Sequence, residues 1–161
     1  MATPSINLIA ALRNTAHRLK KGAKYQWGHM GQCNCGNLAQ ELIQVSATEI
    51  HQHALLSRSG DWSEQTAEYC PTSNLPLDLM ITKMLAEGLT IDDLKNLEKL
   101  SDKAILRRIP RYLSHNSRED VILYIETWAK MLEEQLIETI ELPTFATPTQ
   151  MPLPAQDLVA V

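Results

Sequence analysis

The sequence predicts an all-α protein, a compact bundle of about six helices. Apolar residues recur at three- and four-residue spacing over long stretches, and no period-2 alternation of strand length is present. The chain is also punctuated by helix starts at Ser, Thr or Asp and by stops at Gly or Pro. Its 161 residues fit one domain of the usual ~100–200 residues. That domain is read as residues 4–141, with an extended tail over 142–161.

The first helix runs over 4–21: Thr3 can cap it, Pro4 suits its first position, and Gly22 stops it. Leu8, Ile9, Leu12, Ala16 and Leu19 share one face, and Arg13, His17, Lys20 and Lys24 a neighbouring one. Residues 23–36 are irregular and hold three of the six glycines, at 28, 31 and 36. Helices follow over about 37–46, with Leu38, Leu42 and Val45 inward, and over 47–57, capped by Ser46 or Thr48. Residues 58–75 read as a polar loop, and a helix over 76–87 ends at Gly88. Thr90 and Asp93 form a capping-box-like start for a helix to about 100. Ser101 and Asp102 open a short helix that Pro110 terminates. The last helix starts near Ser117 and runs to about 140. Its stripe of Val121, Ile125, Trp128, Leu132, Leu136 and Ile140, widened by Ile122, Tyr124 and Met131, is that of a buried core helix. Trp62 and Trp128 are expected in the core. Residues 142–161 contain four of the eight prolines and no Lys or Arg, which reads as extended chain.

Composition narrows the function classes. Hydrophobic residues make up 44% and charged residues 21%, ordinary globular usage. No apolar run reaches the roughly 18 residues of a membrane span, and the N-terminus shows no secretory h-region with a cleavage site. Three cysteines leave an odd thiol, so a reduced, cytoplasmic chain is expected. The net charge of −4 hides an asymmetry: residues 1–40 carry five Lys/Arg and no acid, and the rest carries nineteen acids and ten bases. So acidic a chain is not expected to bind nucleic acid in general. The basic stripe of the first helix could meet an anionic surface, and it vaguely resembles an organelle transit peptide. The preferred reading is a solvated face that pairs with acids of the same protein.

Residues 25–40 stand apart. Cys33 and Cys35 form a Cys-x-Cys pair, His29 lies four residues earlier, and the glycine-rich segment opens into a helix. Two thiolates two residues apart in a glycine-rich loop can converge on one ion, and a tetrahedral site needs two further N or S donors. The candidates are Cys70, His51, His29 and His53. Residues two apart on a helix point about 200° apart, so His51, beside Ala47, Ile50 and Ala54, is preferred and His53 is expected to face solvent. The first functional reading is therefore a metal site of Cys33, Cys35 and Cys70 with His51 or His29, holding zinc, with iron second.

A second reading makes Cys35 a nucleophile whose pKa is lowered at a helix N-terminus, with His29 as its base. The segment Tyr25-x-Trp27-Gly28 followed by Asn34-Cys35-Gly36-x-Leu38-x-Gln40 resembles the opening of an NlpC/P60-type cysteine peptidase domain, in which the cysteine opens a helix. The resemblance covers about 16 residues and is one of local turn-into-helix geometry. Asn-Cys-Gly-Asn stands where that family has Asp-Cys-Ser-Gly, and no later strand is present for that family's histidine. A third reading is a metal-free helical interaction protein with an unidentified protein partner, meeting it through the proline-rich tail and the basic stripe. An anion site at the helix N-terminus is a weak fourth, since no phosphate-loop motif is present.

Overall fold

The computed structural model describes residues 1–140; the tail expected over 142–161 lies outside them. Eight helices and no strand are found among the described residues. They are α1 (Ile6–Lys20), α2 (Asn34–Leu42), α3 (Ala47–Leu55), α4 (Trp62–Ala67), α5 (Pro76–Ala86), α6 (Ile91–Lys99), α7 (Lys103–Leu106) and α8 (Arg118–Glu138). None is long and apolar enough to cross a membrane.

Local chemistry explains most starts. Ser46 with Glu49 and Thr90 with Asp93 form reciprocal capping boxes for α3 and α6, and Pro76 occupies the first turn of α5. Three starts differ from the sequence reading. α1 is capped by Ser5, whose hydroxyl accepts from Leu8 N, while Thr3 N donates to Gly88 C=O. α4 lies inside the expected polar loop, opened by an Asp61–Glu64 capping box. α2 begins three residues early, at Asn34, with Cys33 as a cap residue that makes no side-chain bond.

The layout follows from which faces are apolar. α1 packs along α8 on one side and against α2 on the other, α6 packs on α4 and α2, and α3 on α5. Leu8, Leu12, Ala16 and Leu19 of α1 and Val121, Ile125 and Leu132 of α8 are fully buried in one continuous core. Trp62 and Trp128 join it, at 0% and 2% exposed.

Two residues of the basic stripe, Arg13 and Lys20, and Arg18 beside it are paired with acids of the same molecule. Arg13 pairs with Glu133 and Lys20 with Glu126, both on α8. Arg18 pairs with Glu41 and bonds Gln40 Oε1. Positions 13 and 20 face 133 and 126 at matching seven-residue steps, the register of two antiparallel helices. A further ion pair is largely buried: Arg58 grips Asp78 through both carboxylate oxygens, at 2.9 Å each, and Ser73 Oγ and Cys70 N donate to the same group.

Candidate functional site

The segment 25–36, irregular to Cys33 and then the first turn of α2, is a hub that ties α2, α6 and the stretch before α8 together. Two glycines make it possible, because other chain segments pass where their side chains would be. A Cβ on Gly31 would lie 2.0 Å from Ala47 C=O, and one on Gly36 2.1 Å from Met30 C=O. Asn34 is fully buried, and its Nδ2 faces the carbonyls of Leu97 (3.2 Å), Glu98 (2.9 Å) and His115 (3.1 Å). Two of these are end carbonyls of α6, of which Leu97 C=O also accepts from the capping Leu100 N–H. The Tyr25 hydroxyl lies 2.9 Å from Asn34 Oδ1 and 3.0 Å from His115 C=O. The indole of Trp62 donates to Met30 C=O at 2.9 Å.

Cys33 and Cys35 lie within this hub, 1% and 0% exposed. The thiol of Cys33 donates to Met30 C=O (3.5 Å) and that of Cys35 to Leu94 C=O (3.1 Å). Between them sits Glu98 of α6, 1% exposed, with Cys35 N donating to its Oε2 at 3.1 Å. Glu98 thus supplies from another helix the N-terminal cap that Cys33 does not give α2. Burial pushes the Glu98 carboxyl above its ordinary range, against the lowering effect of the Cys35 N–H and the two thiols. Burial, with Glu98 next, pushes both thiols well up.

The histidines stand elsewhere. His29 and His51 stack on each other, ring centroids 4.1 Å apart and 19° from parallel. Gly31 N donates to His29 Nδ1, and His51 Nδ1 is buried without a partner. Burial, then the neighbouring His51, lowers the His29 pKa. His53 is not turned to solvent as expected: its Nδ1 lies 3.2 Å from Met80 Sδ on α5, because α3 packs there. Cys70 lies beside the Arg58–Asp78 pair, its sulfur 3.4 Å from Thr72 Oγ1.

The five expected ligands therefore occupy three places. Cys33 and Cys35 are in the hub core, His29 and His51 form a stacked pair, and Cys70 sits in the 70–75 turn. Among the described residues no group of three or more His, Cys, Asp or Glu side chains is arranged to hold a metal ion. The nucleophile arrangement is not assembled either. The partner of the Cys35 thiol is a backbone carbonyl, its pKa is raised rather than lowered, and His29 faces His51. A thiol inside the first turn of a helix gains reactivity from the dipole only while water reaches it, and here the core closes over it.

One further feature escaped the sequence reading. Leu100 ends α6 in the left-handed conformation, with φ of 50°, uncommon for a branched side chain. The chain turns there into α7 and residues 107–113, which border an open hollow of about 420 Å³. Leu100, Leu106, Ile109, Pro110 and Leu113 form its apolar walls, with Arg111 and Tyr112 completing the lining. Tyr112 is 100% exposed. The hub holds this stretch from the other side: His115 packs on Trp27, ring centroids 4.5 Å apart, and its carbonyl faces Asn34 and Tyr25. A signal was legible: residues 103–118 hold Lys103, Arg107, Arg108, Arg111 and Arg118 and no acid. A smaller cleft of about 400 Å³, lined in part by His51, Leu55 and Arg58, lies elsewhere.

Comparison with known proteins returned no match to a family model, a curated protein or a solved structure. The likeness to NlpC/P60 peptidases accordingly stays confined to one turn and one helix start.

Proposed function

We propose that this chain is a helical binding protein that docks a partner in the groove formed by the end of α6, α7 and residues 107–113. The observation that carries the reading is Tyr112, a fully exposed aromatic beside an apolar cavity of about 420 Å³. An exposed aromatic next to an unfilled apolar hollow is the arrangement of an interface anchor, since Tyr contributes large contact area at small entropic cost. The hub supports the reading by giving the loop a rigid back. Trp27 and Asn34 hold His115, and the buried thiols with Glu98 join α2 to α6. On this view Cys33 and Cys35 are core residues.

Peptides selected from a random library on the full chain test the proposal. They should lose binding to a Tyr112→Ser variant and keep it with Leu55→Ser, a change at the other cleft. Equal binding to both variants would remove the groove from the account. Stoichiometric zinc or iron in untagged protein, released by Cys35→Ser, would put the metal reading in its place.

A further inference from the structure

Resting on the groove as the docking face, we infer that its partner is an acidic segment carrying one or two large apolar side chains. The five Lys/Arg of residues 1–40 largely meet acids of the same molecule, Glu133, Glu126 and Glu41 taking three of them. Outside residues 1–40 and 103–118 the chain holds nineteen acids and five bases. The 103–118 stretch therefore stands as a basic island on an acidic protein.

Two of its five cations are spoken for, Arg108 by Glu134 and Arg111 by Asp120. Lys103, Arg107 and Arg118 make no ion pair among the described residues, and Lys103 and Arg107 are exposed on α7 and just after it. An acidic partner is repelled by most of this surface and drawn to this face, which steers encounter and fixes orientation. The apolar walls then select within acidic partners. The cavity lies at the small end of the roughly 300–1,000 Å³ range of ligand pockets, room for a side chain or two. Nucleic acid fits less well, because it gains affinity from many phosphate contacts and from stacking platforms. Here the hollow is aliphatic, with Arg111 the one cation and Tyr112 the one aromatic in its lining, and Lys103 and Arg107 flank its wall residue Leu106 along α7 and just after it.

Fluorescence anisotropy on the full chain decides it. The probe is a labelled twelve-residue peptide of Glu and Ser with a central Leu–Phe pair. Controls carry Lys for every Glu, or Ser for Leu–Phe, and a twelve-nucleotide single-stranded DNA serves as the other anion. The acidic apolar peptide should bind at least about tenfold more tightly than each control, and weaken as salt rises. A Lys103→Glu/Arg107→Glu double variant should lose about tenfold of that affinity, and both positions are exposed, so its helix signal should stay intact. Tyr112→Ser should also weaken the peptide. Tighter binding of the Lys-substituted peptide or of the DNA would overturn the inference while leaving the groove reading standing. Acidic-peptide binding untouched by Tyr112→Ser and by the charge reversals would sink the groove itself. Sedimentation showing a dimer abolished by Tyr112→Ser would assign the groove to a second copy and overturn the inference.

Discussion

Glu98 gives the sharpest test of the hub, because its two forms affect stability with opposite sign. Glu98→Gln keeps the shape and an oxygen that can accept from Cys35 N, so the α2 cap survives. What it removes is the ionisation. Burial raises the folded pKa of Glu98 above its ordinary 4.5. An acid that holds its proton more tightly when folded makes the native state bind more protons, so stability falls as pH rises between the unfolded and the folded value. The slope reaches about 1.4 kcal/mol per pH unit inside that window and vanishes outside it. Below pH 4.5 both proteins carry a neutral side chain and should differ by no more than the ~1 kcal/mol of an exchanged hydrogen bond. As pH climbs, the variant should gain on the parent until Glu98 is fully ionised, then run parallel to it. Urea titrations followed by helix ellipticity, at half-unit steps from pH 4 to 8 with thiols reduced, read the difference directly. The other acids contribute equally to both proteins and cancel. A flat difference would show that Glu98 does not sense burial. A difference of opposite slope would mean that the Cys35 amide and the two thiols outweigh desolvation and stabilise the carboxylate.

Asp78 should behave inversely: burial raises its pKa, but the bonds from Arg58, Ser73 and Cys70 outweigh that and hold it below 3.8. Its stabilisation is present above the unfolded value and fades as pH drops through the folded one, so Asp78→Asn should cost roughly 3 kcal/mol at pH 7 and progressively less below pH 4, by the same titration. The two buried tryptophans should differ on conversion to Phe: Trp62 loses its bond to Met30 C=O and leaves that carbonyl only the long bond from the Cys33 thiol, whereas Trp128 Nε1 has no partner to lose. The Trp62→Phe melting loss should exceed that of Trp128→Phe by the equivalent of about 1–3 kcal/mol, and equal losses would refute the Met30 bond. Thiol labelling at neutral pH should modify Cys70 promptly, since its bonds to Thr72 lower its pKa, and Cys33 and Cys35 only on unfolding. Three fast thiols would show the hub to be open.

The helices were legible where their determinants lie within four residues of one another. The Thr90–Asp93 cap, Pro76 at a first turn and the stripe of Val121, Ile125, Trp128 and Leu132 are local patterns that the fold keeps. The pairing of α1's basic stripe was legible in kind, because an acid-free quarter faced an acid-rich remainder, though not in its partners. The sequence under-counted the helices, since α4 is a single capped turn and a half inside polar residues, too short for a period to show.

The site could not be read the same way. A Cys-x-Cys loop leading into a helix looks identical whether its thiols face water, an ion or a core. That choice depends on Glu98 and Leu94, some sixty residues downstream, closing over them. His29 meets His51 because α3 packs against the hub, and His53 turns to Met80 because α5 does. The groove exists because Leu100 reverses the chain and Trp27 holds His115 from behind. By itself the sequence determined which segments are helical and which faces are apolar, because those follow from interactions within one turn. Only the tertiary structure decided what the thiols, histidines and arginines face, because burial and partnership are set by chain segments that the local pattern does not contain.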